Sequence, residues 1–287
     1  MGEGRIGVIG GSGLYGMEGL ENIREVEVDT PFGAPSDAYI MGTLQDRELV
    51  FLPRHGRGHR IAPSALNYRA NIHGFKQLGA EWILSVSAVG SMREDIHPGD
   101  LVLPDQFFDR TRGRVSSFFD QDVVVHVTFA DPTCAALGQI VYEAASKTEA
   151  AVHAGGTYIC IEGPQFSTRA ESRIYRQWGV DVIGMTNLPE ARLAREAELC
   201  YVTIAMATDY DCWHESADDV DVEAILTLLH RNAKLAQDVI RHAVPHIPRE
   251  RSCPCSTALQ YAIITAPEMI PATARERFEL LLGPYLT

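Results

Sequence analysis

The chain has 287 residues, enough for one large α/β domain or two small ones. Acidic side chains outnumber basic ones 38 to 25, a formal charge of −13 that argues against nucleic acid or an anionic membrane as a partner and requires any anionic substrate to meet a local basic site. No apolar run reaches the roughly 18–20 residues of a membrane span, and the opening Met1-Gly-Glu-Gly-Arg5 lacks the basic-then-apolar order of a signal peptide, so a cytoplasmic location is expected.

The first apolar run, 6–10, leads into Gly11-Ser-Gly-Leu-Tyr-Gly16, which has the G-x-G-x-x-G spacing of a dinucleotide site. A dinucleotide turn must open a helix inside a connection of at least about ten residues. Here the β-rich stretch 23–28 begins within a few residues of Gly16, and Gly19 interrupts the gap. What remains is a tight loop whose backbone N–H groups and Ser12 hydroxyl suit an oxyanion. The runs 23–28, 38–42 and 48–52 follow without helices between them, so the sheet should be mixed rather than purely parallel.

A helix is predicted over 64–78 and stopped by Gly79, then strands at 82–88 and 101–103. Asp131-Pro132 predicts an N-cap followed by Pro at the first helical position. Strands at 157–161, 180–183 and 201–207 alternate with helices over 168–178, 188–197 and 220–242, an α/β pattern across residues 1–245. Residues 246–287 form a Pro-rich arm ending in a helix over 272–282. Its Phe278, Leu281 and Leu282 lie at i, i+3, i+4, a stripe that docks on the same domain or on a neighbouring subunit. Six cysteines occur without paired C-x-x-C spacing, so no metal site is expected, and Cys253-Pro-Cys255 is a candidate strained, redox-active disulfide.

The chemistry-bearing segments follow predicted strands, where ligands collect in α/β sheets. In Arg54-His-Gly-Arg-Gly-His59, Arg54 offers a planar fork of donors for phosphate and His55 a ring nitrogen donor, although a basic cluster there is also compatible with solvated surface. Ser85-Val-Ser-Ala-Val-Gly-Ser91 runs into small residues whose amides can approach a ligand. Glu162-Gly-Pro-Gln-Phe-Ser-Thr-Arg-Ala-Glu-Ser172 places Phe166 beside hydroxyls, suiting a ring that is stacked and hydrogen-bonded at its edge. Gly184-Met-Thr-Asn-Leu-Pro-Glu190 sets a thioether next to a hydroxyl. In Thr208-Asp-Tyr-Asp-Cys-Trp213, Asp209 and Asp211 would share a face of extended chain and repel each other's ionisation near Phe166 and Trp213, so that one keeps a proton it can donate.

With Asp29-Thr-Pro-Phe-Gly33 and Asn67-Tyr-Arg-Ala-Asn71, these motifs in this order resemble the 5′-methylthioadenosine phosphorylase branch of the trimeric purine nucleoside phosphorylase family, over residues 5 to 245. The resemblance implies a single α/β domain with a mixed, strongly twisted central sheet flanked by helices. It also implies a homotrimer, or a dimer of trimers, that cleaves 5′-methylthioadenosine reversibly to adenine and 5-methylthioribose 1-phosphate. Inorganic phosphate is the co-substrate and no cofactor is implied. Phosphate falls to Ser12, Arg54, His55, the Ser87-Ala88 turn and Thr186, ribose to Met185, and adenine to Phe166, Ser167, Asp209 and Asp211. Asp209 is the acid toward N7 and Asp211 holds the 6-amino group. Val222, Ile225 and Leu226 match the methylthio pocket, and His126 matches a histidine supplied by the adjacent subunit. Departures at Gln165, Thr168, Gly184 and Asn187-Leu188 leave substrate breadth open, with 6-oxopurine nucleosides or 5′-methylthioinosine as the alternative. A nicotinamide-dependent oxidoreductase lacks its helix after Gly16, and a non-catalytic nucleoside-binding trimer has no use for the phosphate donors.

Overall fold

In the computed structural model, which describes residues 4–11, 13–214 and 222–286 and their side chains except those of 222–231, groups of one to four strands are separated by α-helices. The strands are β1 (Arg5–Gly10), β2 (Glu21–Val26), β3 (Tyr39–Leu44), β4 (Arg47–Pro53), β5 (Ala80–Ser91), β6 (Leu101–Leu103), β7 (Gln106–Arg110), β8 (Val152–Ala154), β9 (Thr157–Ile161), β10 (Val182–Gly184) and β11 (Cys200–Asp209). The helices are α1 (Tyr68–Gln77), α2 (Ala135–Ala145), α3 (Arg169–Gln177), α4 (Asn187–Glu196), α5 (Val222–Ala243), α6 (Ala272–Arg277) and α7 (Glu279–Leu282).

All eleven described strands belong to one mixed sheet, ordered β2-β3-β4-β1-β5-β10-β9-β7, with β11, β6 and β8 branching from β5. β1, β4, β5 and β11 run parallel. They are buried almost throughout, as expected of strands covered on both faces. β2 is exposed along nearly its whole length, and its Glu21, Arg24 and Glu25 discourage pairing at that edge. One face buries Ile72 and Phe75 of α1 and Ala191, Leu193 and Ala194 of α4. The other buries Leu137 and Val141 of α2 and Val239 and Ile240 of α5.

β5 creates the opening that the site uses. It pairs with β1 as far as Ser85 and with β10 at Gly90 and Ser91, while β11 follows its other edge from Trp82 to Gly90. β1 and β10 approach along the same edge from opposite directions and end before they meet. A notch is left in the sheet beside 86–89.

Several predicted elements shift. The helix announced by Asp131-Pro132 starts at Ala135, because the Cys134 N–H donates to Tyr201 O at 2.9 Å and Arg195 Nη2 donates to Asp131 O at 2.6 Å, which hold the preceding residues out of a helix. β5 continues to Ser91, so Ser87-Ala88 is strand and not a turn. The helix expected over 272–282 is broken at Phe278 into α6 and α7. Phe278, Leu281 and Leu282 are buried on this chain's own core, where Phe278 meets Phe119 edge-on at 5.3 Å. β7 and β8 were not foreseen.

Candidate active site

Segments from several elements converge on the notch: Gly10 and Gly11 from β1, Arg54 and His55 from β4, Ser87 and Ala88 from β5, and Met185 and Thr186 after β10. The Arg54 backbone N–H donates to Gly10 O at 2.9 Å, tying two strand ends together. Its side chain, 3 % exposed, is held from within. Nε and Nη2 donate to the Glu190 carboxylate at 2.8 and 3.0 Å, Nη2 to Ser85 Oγ at 2.7 Å, and Nη1 to Val86 O at 2.9 Å. Glu190 is fully buried and also accepts from Tyr201 OH at 2.9 Å and Ser85 Oγ at 2.7 Å. Burial opposes the Arg54 charge, and the Glu190 carboxylate more than offsets it. One Nη1–H of the fork then has no protein acceptor among the described residues.

His55 differs from its expected donor role. Its Nδ1 lies 2.8 Å from Ile61 O, the geometry of a donated N–H, and its ring stacks on His59 at 4.3 Å. Burial, reinforced by the Arg54 charge, lowers its pKa to about 4. At neutral pH the imidazole is uncharged, and Nε2 presents a lone pair. Ser87 Oγ and Thr186 Oγ1, both buried, lie 3.2 Å apart, and Ala88 is exposed beside them. Ser12 lies outside the described residues.

At the C-terminal end of β11, the Asp pair is brought together by a bend and not by an extended strand. Asp211 sits at φ +51°, and its N–H donates to Asp209 Oδ1 at 2.7 Å, while Thr208 Oγ1 donates to Asp209 Oδ2 at 2.6 Å. Both carboxyls are held above the usual carboxylate range, chiefly by burial; the repulsion expected between them is a lesser cause, and only at Asp211. Gly90 of β5 makes room for them, since a Cβ there would meet Asp209 Oδ1 at 3.0 Å and Asp211 Cβ at 3.3 Å. Cys212 Sγ donates to Ser167 O at 3.3 Å, bringing the Phe166 loop alongside. Phe166 is 51 % exposed, and the buried Ser167 Oγ has no partner among the described residues. Thr168 caps α3 in a reciprocal box with Glu171, which fixes where that loop ends. Trp213 is no wall for a ring: its Nε1 donates to Ser91 O at 2.7 Å, and Arg176 covers its face at 3.8 Å.

Met185 follows β10 directly and precedes Thr186 of the notch. Gly163 sits at φ +65°, a conformation that favours glycine, and a Cβ there would come within 2.5 Å of Met185 Sδ, so the Phe166 loop packs closely on this side chain. Arg114, which belongs to none of the motifs above, binds these loops into one unit. Its Nε donates to Glu162 Oε1 at 2.9 Å, Nη1 to Met185 O at 2.7 Å and Leu188 O at 2.8 Å, and Nη2 to Glu162 O at 2.6 Å. Arg114 belongs to the basic run Arg110-Thr-Arg-Gly-Arg114, which reads as solvated loop. Glu190 stood inside a recognised motif without a role. His126 is exposed, on a segment whose backbone pairs with the C-terminal arm through His126 N–H to Ala262 O at 2.8 Å. The side chains of Val222, Ile225 and Leu226 lie outside the described residues.

Residues 5–245 match the phosphorylase superfamily. The chain is 61 % identical to the S-methyl-5′-thioadenosine phosphorylase of Geobacter sulfurreducens, covering 98 % of this chain and 99 % of that one. Its fold superposes with a TM-score of 0.93 on a methylthioadenosine phosphorylase from an antarctic soil metagenomic library, at 48 % identity over 96 % of this chain and 98 % of the other. A mutant adenosine/methylthioadenosine phosphorylase from Schistosoma mansoni, in complex with methylthioadenosine, aligns with a TM-score of 0.79 at 38 % identity over 86 % of this chain and 92 % of that one. The chain belongs to the phosphorylase superfamily and, within it, to the S-methyl-5′-thioadenosine phosphorylases.

Proposed function

We propose that the chain catalyses reversible phosphorolysis of 5′-methylthioadenosine to adenine and 5-methylthioribose 1-phosphate. One observation carries this reading: along one strand, β5, an anion notch at Ser87 with a single Arg54 N–H left over is followed at Gly90 by a buried pair of carboxyls, Asp209 and Asp211, whose hold on a proton is raised by burial. Phosphate in the notch receives hydrogen bonds from Arg54 Nη1, Ser87, Thr186, Ser12 and the amide at Ala88. The neutral His55 Nε2 accepts the P–OH proton of monohydrogen phosphate and so selects that species.

A phosphate oxygen forms a bond to the anomeric carbon as the bond to N9 breaks, and the electron pair of that bond passes into the purine. Asp209 supplies the proton toward N7 while Asp211 accepts a hydrogen bond from the 6-amino group. The phosphate charge stabilises the developing sugar cation. Phe166 stacks on the base, Ser167 Oγ meets its edge, and Met185 packs against the sugar. The resemblance assigns Val222, Ile225 and Leu226 to the methylthio end. A homotrimer in which the adjacent subunit's His126 closes the site, a cytoplasmic location and the lack of any cofactor beyond phosphate complete the proposal. No described helix is long and apolar enough to cross a membrane.

The test is a substrate panel of 5′-methylthioadenosine, adenosine, inosine and 5′-methylthioinosine at fixed phosphate. Preference for methylthioadenosine supports the Asp209/Asp211 assignment. Preference for the 6-oxopurines overturns it, because a carboxylate that accepts from an amino group repels a carbonyl oxygen.

A further inference from the structure

Cys134, Cys200, Cys253 and Cys255 come from three separate parts of the chain, and their sulfurs all lie within 4.8 Å of one another. Cys134 is the N-cap of α2, Cys200 opens β11, and Cys253 and Cys255 flank Pro254 in the arm. Cys134, Cys200 and Cys255 are buried, and Cys253 is half-buried. The sequence expectation is of no metal site, yet the fold brings four of the six cysteines together. Spacing hid it, since no two ligands stand at C-x-x-C separation.

We propose that the quartet is a structural site for a soft divalent cation of the zinc type, which fastens the C-terminal arm to the sheet. A tetrahedral tetrathiolate with metal–sulfur bonds of about 2.3 Å places its sulfurs about 3.8 Å apart, inside the spread found here. The Cys200 and Cys253 sulfurs are 3.2 Å apart, so a tetrahedron asks this pair to separate by about 0.6 Å, and Cys253 is only half-buried. Four sulfurs leave no open coordination position, the mark of a structural rather than catalytic centre. β11 runs its ten residues, roughly 30 Å, from Cys200 to the Asp pair, so the site stands at the far end of the sheet from the candidate active site. Binding exchanges S–H bonds for metal–sulfur bonds, releases up to four protons to solvent and oxidises nothing. Cys134 stands at the N-terminus of α2, where the unpaired backbone N–H groups and the helix dipole favour a thiolate.

The full chain is prepared in reductant without chelator, its metal content is measured, and the metal-depleted protein is titrated with zinc and cobalt(II) while thiol reactivity is followed. The expected result is one metal per chain, four of the six thiols protected, and the thiolate-to-cobalt charge-transfer band of a tetrahedral site. Cys253→Ser, a change at a half-buried position, should weaken zinc binding at least tenfold. The proposal is overturned if zinc protects no thiols, if Cys253→Ser binds as tightly as the parent, or if the quartet is recovered as disulfides from reduced preparations.

Discussion

The Arg54–Glu190 pair, at 3 % and 0 % exposure, makes the notch both stable and selective, and Glu190→Gln isolates its contribution. Glu190 accepts from Arg54 Nε and Nη2, Ser85 Oγ and Tyr201 OH. A glutamine keeps one acceptor oxygen and turns a donor amide toward groups that also donate, leaving the guanidinium charge without its counter-charge. Breaking one side of a buried pair costs about 3–5 kcal/mol. For a chain of this size that lowers Tm by roughly 6–10 °C, at about 2 °C per kcal/mol. Thermal unfolding at fixed protein concentration, with and without phosphate, measures the loss. KM for phosphate should also rise at least tenfold, about 1.4 kcal/mol, as the fork loses its orientation. The double change Arg54→Met with Glu190→Leu should recover most of the stability but no phosphorolysis, because the groups that then lose a partner, the Ser85 and Tyr201 hydroxyls and the Val86 carbonyl, are all neutral. A Glu190→Gln loss below about 1 kcal/mol, the range of an exposed pair, would refute the reasoning. So would a double variant less stable than the single one.

Other changes probe separate parts of the site. Asp209→Asn should lower kcat by about 10²–10⁴ with little change in KM for the nucleoside, and a loss below tenfold would remove Asp209 as the acid. Gly90→Ala drives a methyl group against Asp209 Oδ1 and Ile183 Cγ2, each at 3.0 Å, and should cost about 1–3 kcal/mol in urea unfolding with a larger proportional loss of turnover. His73 is 4 % exposed between Phe32 and Phe118, its Nδ1 has no partner among the described residues, and burial lowers its pKa to about 4. The native state therefore binds fewer protons at His73 than the unfolded chain does. Its contribution is complete above about pH 6.5 and is lost as pH falls toward 4, a change of order 3 kcal/mol. His73→Phe should lessen the slope of the unfolding midpoint across that window, leaving the share that His55 contributes there, and an unchanged slope would contradict the assignment.

Most of the sheet is legible in the sequence because its central strands are long apolar runs, and the short interval between Gly16 and β2 by itself excludes a dinucleotide fold. β7 and β8 escaped for the opposite reason: Gln106–Arg110 stays partly exposed throughout, and Val152–Ala154 is only three residues long. The start of α2 was misplaced because Asp131-Pro132 is a valid local signal that tertiary hydrogen bonds at Cys134 and Asp131 override. At the site, the exposed Phe166, the Asp pair and Ser87 with Thr186 were nameable from their motifs. Glu190 and Arg114 were not given roles, since a buried counter-charge and a brace across three loops exist only once distant segments meet. The backbone bend at Asp211, the neutral His55 and the inward turn of Trp213 are likewise properties of packing, not of residue type.

The most direct test of phosphorolysis is phosphorus NMR of the purified chain incubated with 5′-methylthioadenosine and inorganic phosphate. The expected result is a sugar 1-phosphate monoester resonance that grows in step with free adenine and is absent without enzyme. Adenine released at the same rate without phosphate, with no phosphate ester formed, would make water the nucleophile and contradict the anion notch as the attacking site.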